Sequence, residues 1–370
     1  MLTRPPRSLL GAYLGFLTAK LGFLLLLVVE TGPRWLWHLG RFDAGWYLTI
    51  IQDGYQATEP GTRSNLAFFP LLPTLAGMVS SVGIPPPVAL LVVAWCGSLA
   101  AVAGIWALGR EVADGRVGMW MVLLWAVAPR AHVQVMGYSE GPFTALVAFC
   151  LLGVIQRRWV LAGVTGVLAA LTRPSVAPLI LTMGVVWLVG VVRARRRGEG
   201  WRESLVTPPL VVTLLSGFAM VSVMAFVAIH TGSPAGYFAV QAEWNQHLGT
   251  PLQTLSFFLT EVVPNPRAWP YFGIVGLFTA GYLVLFWWMV IRRERWELLV
   301  FTGLSLLLVL CQQNYYASYA RFLLPLFPLW LPVARIVARR PLLPMLLVWS
   351  VIMVAGALAG TWGIQLRHSP

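Results

Sequence analysis

The sequence predicts an all-α polytopic membrane protein, a bundle of about eleven transmembrane helices with polar residues gathered toward one side of the bilayer. Three observations predict it. Of 370 residues, 58% are apolar and 11% charged, with a mean hydropathy of +0.75, where a soluble chain is about 25% charged. Apolar runs suited to crossing a bilayer recur along the chain. Arginines cluster in the short loops between alternate runs, the pattern that orients spans with their positive ends toward the cytoplasm. The net charge of +13 therefore reports topology and not a nucleic-acid partner. The 35 Gly and 26 Pro suit kinked, closely packed helices in lipid. Cys96, Cys150 and Cys311 sit inside apolar runs at unrelated spacings, which implies neither a disulfide framework nor a metal site.

Arg4 and Arg7 precede the apolar run 9–29. That run is too long for a signal peptide and no small-residue cleavage site follows, so it is the first span, running outward. Lys20 lies inside it, and a charge at that depth is a functional candidate by default. Residues 30–87 form a first extracytoplasmic loop. Its run 68–83 is short for a span and is followed by Pro85-Pro86-Pro87, so it reads as an interfacial or re-entrant helix. Span 88–108 returns to Arg110 and Arg116 inside. Spans follow at 117–135, 141–156 (ending at Arg157-Arg158), 159–172, 175–192 (ending at Arg193, Arg195, Arg196 and Arg197) and 208–229. A second large extracytoplasmic loop covers 230–269. Spans 270–291, 297–312, 322–338 and 342–363 complete a single integral membrane domain over 1–370. The arginines of 193–202 read as topology determinants at an anionic lipid surface. Lys20 is the sole lysine, a preference that points to a GC-rich bacterial genome and a bacterial plasma membrane.

Only three acidic residues are Asp, and two of them, Asp43 and Asp53, lie in the aromatic-rich stretch Arg41 to Tyr55. Phe42, Trp46, Tyr47 and Tyr55 suit a helix lying in the membrane interface. Asp43, Trp46, Tyr47 and Ile50 fall at i, i+3, i+4 and i+7 and share a face. Asp53 falls roughly 80° from Asp43 on the same helix, and Gly54 ends it as a C-terminal cap. Asp43 is either an N-cap or a catalytic carboxylate.

The topology brings further polar clusters to the outer ends of helices: Arg63-Ser64-Asn65, Tyr138-Ser139-Glu140, Thr172-Arg173, Gln241 to Asn245, and Tyr315-Tyr316 with Tyr319 and Arg321. Carboxylates beside isolated arginines suit chemistry on an anionic lipid head group. Arginine holds phosphate bidentately, and a carboxylate takes the proton of a sugar hydroxyl. Each cluster has a structural alternative. Glu140 could cap a helix, Arg173 and Arg321 could anchor helix ends at the interface, and Trp244 could belong to an aromatic belt. The five histidines (38, 132, 230, 247 and 368) show no paired ligand spacing, and there is no Asp-X-Asp, so no metal constellation is expected. No glycine-rich phosphate loop follows a strand, so no nucleotide site is expected either.

In order along the chain, these motifs resemble the GPI mannosyltransferase 2 (PIG-V-like) family of GT-C glycosyltransferases, in particular its bacterial members. Arg41-Phe42-Asp43-Ala44-Gly45-Trp46-Tyr47 through Gly54-Tyr55 is similar to the family's Trp-Asp…Trp-Tyr…Gly-Tyr pattern. Phe68-Phe69-Pro70-Leu71-Leu72-Pro73, Tyr138-Ser139-Glu140 and Leu171-Thr172-Arg173-Pro174 are similar to Phe-Phe-Pro-Leu-Tyr-Pro, Tyr-Ser-Glu and Leu-Thr-Arg-Pro. Tyr319-Ala320-Arg321-Phe322 with Pro325 and Pro328 looks like a late Arg-Tyr…Pro…Phe-Pro pattern. Phe42 and Leu72 depart from the usual Trp and Tyr.

The resemblance implies a GT-C bundle whose two outer loops cover an extracytoplasmic active site. It also implies inverting, metal-independent transfer of a hexose, mannose above all, from a polyprenyl-phosphate donor, with no cofactor. The acceptor would be a hydroxyl of a glycolipid, glycan or secreted protein. Asp43 would be the base, Arg173, Arg321 and Arg63 would hold the donor phosphate, and Trp46, Tyr47, Tyr138, Glu140, Gln241, Trp244 and Tyr319 would shape the sugar and acceptor pocket. Two other readings of the composition are a flippase for a lipid-linked glycan, which should show inverted repeats and mid-membrane charges, and a non-catalytic subunit keeping the fold.

Overall fold

The computed structural model describes residues 6–56, 61–314 and 316–365, apart from the side chains at 201, 202, 270 and 271. Arg4, Tyr315 and His368 lie outside the described residues. The chain is a helical polytopic membrane protein. Among the described residues, six helices are long and apolar enough to cross a bilayer: Arg7–Leu39, Pro86–Val112, Pro174–Arg196, Pro208–Thr231, Ile274–Ile291 and Leu342–Gln365. Their outward faces carry bare apolar side chains such as Leu14, Leu25, Val284 and Val351. A surface of that kind is stable only against lipid or a partner.

The remaining expected spans take a different form. Gly115–Ala126, Glu140–Ile155, Trp159–Ala170 and Trp296–Cys311 are apolar helices of 12 to 16 residues. Twelve residues rise about 18 Å, short of the roughly 30 Å hydrocarbon layer. The expected span 117–135 stops at Ala126, and the chain runs through a turn containing Pro129 into a 3₁₀ turn at Ala131–Val135. The expected span 322–338 is a pair of helical pieces, Tyr316–Phe322 and Phe327–Val337, bent by 73°. Pro325 and Pro328 interrupt it, since proline removes a donor and clashes with the preceding turn.

Non-helical backbone at this depth survives only where protein satisfies it. Side chains do so around residues 126–139. Lys20 Nζ donates to the carbonyls of Ala126 and Ala131, Gln134 Nε2 to Trp125, Ser98 Oγ to Gln134, and Trp95 Nε1 to Val135. The helix Pro86–Val112 packs along Glu140–Ile155 and along Gly115–Ala126. Close approach to the latter is set by glycines: a Cβ on Gly118 would sit 2.5 Å from the Trp106 carbonyl.

The 68–83 run forms the helix Leu71–Ser80, whose ten residues rise about 15 Å and so cannot span. The 230–269 stretch holds the helices Gly236–Glu243 and Pro251–Phe257, the second opened by a Thr250/Gln253 capping box. One local feature departs from the all-helical expectation: His247–Leu248 pairs antiparallel with Gln312–Gln313, tying this stretch to the end of Trp296–Cys311.

Candidate active site

The helix Asp43–Asp53 forms as its sequence predicts, and Gly54 ends it at a φ of 77°, its N–H bonded to Ile50 O. Ala44, Tyr47 and Ile50 face the protein interior. Asn65 clips the far end, accepting from Gln56 N and donating to Gly54 O. Asp43 is the first helical residue. Phe42 occupies the cap position at a φ of 57°, and no side chain caps the helix, so the N-cap reading of Asp43 is corrected. A bulky residue at positive φ is strained, and this one immediately precedes Asp43.

That carboxylate meets Arg321, 278 residues away. Arg321 Nη1 donates to Asp43 Oδ2 at 2.6 Å, with side-chain exposures of 4% and 19%. Arg321 Nε lies 3.5 Å from Glu140 Oε1, and Arg173 Nη1 lies 2.7 Å from the same oxygen. Glu140, 1% exposed, begins the helix Glu140–Ile155 without a capping bond from the preceding side chain. The carboxylates and arginines thus alternate in one chain of ion pairs, Asp43–Arg321–Glu140–Arg173. Burial makes each member depend on its neighbour, because an uncompensated charge there is costly. Ser139 Oγ accepts from both Arg173 Nη1 and Tyr47 OH, each at 3.0 Å. Burial, first of all, pushes the Tyr47 and Tyr138 phenols well above their ordinary range, so both stay neutral. The Arg321 guanidinium lies 5.4 Å from the Tyr138 ring centre.

A second group forms an aromatic wall. Trp46 stacks on Phe68 at 6.1 Å, and Trp244 meets both edge-on, at 5.0 and 5.2 Å. Trp244 Nε1 donates to Ser64 O, and the Arg63 guanidinium lies over the Trp244 ring at 5.1 Å. Trp244 is therefore buried between two stretches of chain, and does not face lipid as a belt residue would.

The two groups border a cavity of about 1310 Å³, larger than the ~300–1,000 Å³ of ordinary small-molecule pockets. Asp43, Trp46, Arg63 and Trp244 line it; Arg321, Arg173, Glu140, Tyr138 and Tyr47 are not among its lining residues. Gln241 and Tyr319 do not border it. Tyr319 is fully buried, its hydroxyl bonded to Thr254 and Gln312. The remaining lining is mostly apolar and comes chiefly from residues 124–132, Ile274–Ile291 and Leu342–Gln365. Lys20, Arg130, His132 and Asn314 also line it. Lys20 stands out in the sequence for its depth, whereas Arg130 and His132 do not. One signal was present: Arg130 is an isolated arginine after Pro129, away from the cytoplasmic clusters.

The sequence matches no protein-family model and no curated protein. Among solved structures, ArnT from Cupriavidus metallidurans bound to undecaprenyl phosphate aligns over 94% of this chain and 66% of its own, with a TM-score of 0.56 and 15% identity. The archaeal oligosaccharyltransferase AglB from Archaeoglobus fulgidus, in complex with an inhibitory peptide and a dolichol-phosphate, aligns over 96% of this chain and 55% of its own, with a TM-score of 0.53 and 16% identity. At such identities the likeness shows the fold alone, a helical polytopic membrane bundle. The chain spans between about half and two thirds of the length of these structures.

Proposed function

We propose that the protein is a membrane-embedded glycosyltransferase that transfers a hexose from a polyprenyl-phosphate donor to an acceptor hydroxyl with inversion and without a metal. The observation that carries the reading is the Asp43 carboxylate, oriented by a buried arginine on the wall of a large and mostly apolar cavity. Asp43 takes the proton as the acceptor oxygen attacks the anomeric carbon. The bond from that carbon to the phosphate oxygen breaks, and the lipid phosphate leaves with the electron pair. Arg321 and Arg63 supply positive field for the charge that grows on the phosphate. Arg173 acts through Glu140. Trp46 and Trp244 offer flat apolar faces for a sugar ring.

The shared fold supports this reading, since ArnT was solved with undecaprenyl phosphate and AglB with a dolichol-phosphate. Mannose as the sugar, and an extracytoplasmic site in a bacterial plasma membrane, rest on the motif resemblance and on the arginine asymmetry. Under this proposal the 30–87 and 230–269 stretches are the outer loops that cover the site.

The test is transfer by purified protein from labelled polyprenyl-phosphate mannose to an extract of cell-envelope lipids. Labelled product that persists in EDTA supports the full proposal. Product lost in EDTA removes the metal-independent part, and no product from mannose or another hexose donor overturns the enzyme reading.

A further inference from the structure

The cavity carries a charge imbalance that the proposed catalysis leaves unused. Its titratable lining residues are Lys20, Asp43, Arg63, Arg130, His132 and Tyr282, and Asp43 is already matched by Arg321. Arg130 has no ion pair or hydrogen bond from its side chain among the described residues, and the charged group acting on it is Arg321, another cation. The charges around the His132 ring are Arg130, Lys20 and Arg321, again all cations. His132 is 7% exposed, and its Nε2 has no hydrogen-bond partner among the described residues. Cations withdrawn from water without a counter-charge are costly. What this end of the cavity lacks is an anion.

The backbone is arranged to keep the cluster there. Arg130 stands at a φ of 61° in the turn after Gly115–Ala126, a conformation a non-glycine residue rarely holds without support. Lys20 Nζ brackets that turn, at 2.7 Å from Ala126 O and 3.0 Å from Ala131 O. The last helix leaves room for the cluster: a Cβ on Gly363 would sit 3.0 Å from Arg130 Nη1, and one on Gly360 would sit 3.1 Å from the His132 Cβ. Away from the cations the walls are apolar, with Leu277, Phe278 and Leu285 on one helix and Ile352, Met353 and Trp362 on another. Cations at one end and long apolar walls beyond them fit an amphiphile with one small anionic group on a long hydrocarbon chain.

We infer that Arg130, assisted by His132, is the direct ligand of the donor lipid's phosphate, that the lipid chain lies between Ile274–Ile291 and Leu342–Gln365, and that Lys20 is a positioning residue for Arg130. The identity of the phosphate as the donor's rests on the glycosyltransferase reading. A guanidinium with no carboxylate partner is free to form a bidentate pair with phosphate, whereas Arg173 and Arg321 are held by carboxylates.

The experiment measures binding rather than turnover. Purified full-length protein in nanodiscs is titrated with undecaprenyl phosphate, undecaprenol, phosphatidylglycerol and inorganic phosphate. The variants are Arg130→Gly, Arg130→Lys, Lys20→Met and the double variant Lys20→Met/Arg130→Gly. Arg130→Gly removes the guanidinium while easing the positive φ, so it should fold. The expected result is a loss of at least about tenfold in affinity for undecaprenyl phosphate with Arg130→Gly, the size expected for a charged hydrogen bond. Binding of undecaprenol should be unchanged, and Arg130→Lys should be intermediate. Lys20→Met should weaken only the phosphate-bearing lipid, and adding Arg130→Gly should weaken it little further, because a positioning residue and its client are not additive. Arg130→Gly protein that unfolds cooperatively and binds undecaprenyl phosphate like the wild type overturns this inference and leaves the transferase reading standing. Equal, Arg130-dependent binding of phosphatidylglycerol or inorganic phosphate overturns the donor assignment. A wild type that binds no polyprenyl phosphate overturns both readings.

Discussion

Replacing Asp43 with asparagine separates the base from the scaffold. The side chain keeps its shape and one carbonyl-type oxygen for Arg321 Nη1 but loses its charge and its ability to take a proton. Removing a partner outright from a buried ion pair costs about 3–5 kcal/mol. Here the cost should be smaller. Arg321 retains Glu140 at 3.5 Å, the Asp43 side chain is 19% exposed, and the hydrogen bond survives in neutral form, so a loss of about 1–3 kcal/mol in stability is expected. The catalytic loss should be of a different order. A positioned general base typically supplies about 10²–10⁴-fold, or about 2.7–5.4 kcal/mol of barrier. The assay pairs two measurements on one preparation: the initial rate of sugar transfer from polyprenyl-phosphate mannose and the thermal unfolding midpoint. The expected outcome is a folded protein, slightly less stable, with transfer down at least about a hundredfold and binding of undecaprenyl phosphate little changed. Near-wild-type transfer by a folded Asp43→Asn protein would refute the assignment of the base.

Three further outcomes are expected. Glu140→Gln removes the anion shared by Arg173 and Arg321 and should lower stability by about 3–5 kcal/mol, read by thermal unfolding; an unchanged midpoint would show that the ion-pair chain does not hold the site together. Trp244→Ala empties the aromatic wall and breaks the bond to Ser64 O, so it should destabilise by about 3–5 kcal/mol, while Trp244→Phe should recover most of that loss; equal effects of the two substitutions would deny the stacking its role. In a background without the three native cysteines, Arg63→Cys should react with a membrane-impermeant maleimide added outside intact cells and Arg195→Cys should not. The reverse pattern would invert the proposed topology.

Much of this architecture is legible in the chain, and the reason is local. Hydrophobicity summed over about twenty residues is large compared with any single contact, so the long spans stand where the apolar runs are. The helix Asp43–Asp53 is bounded by its own chemistry, with Gly54 supplying the positive φ that ends it. The shortness of the 71–80 helix follows from counting residues. The breaks at Pro129 and Pro325 had signals too, since proline interrupts helices, but apolar residues on both sides hid them in a hydropathy reading. The order of the motifs brought Asp43, Glu140, Arg173 and Arg321 to notice without saying which of them touch.

Composition and apolar runs are enough to place the chain in a bilayer, to locate its long helices, and to make a few polar residues stand out against an apolar background. Which of them touch depends on how the helices pack. In lipid both the packed and the exposed faces of a helix are apolar, as Leu25 outside and Phe23 inside the first helix illustrate, so no periodicity in the sequence announces which side points inward. Pairings such as Asp43 with Arg321 close only when helices from opposite ends of the chain pack together, and their energies depend on burial that no local window contains. The same packing divided the arginines. Arg173 and Arg321 were drawn against carboxylates, and Arg130, with no ion pair among the described residues, stands on the cavity wall, where the physical cost of a bare charge points to a ligand.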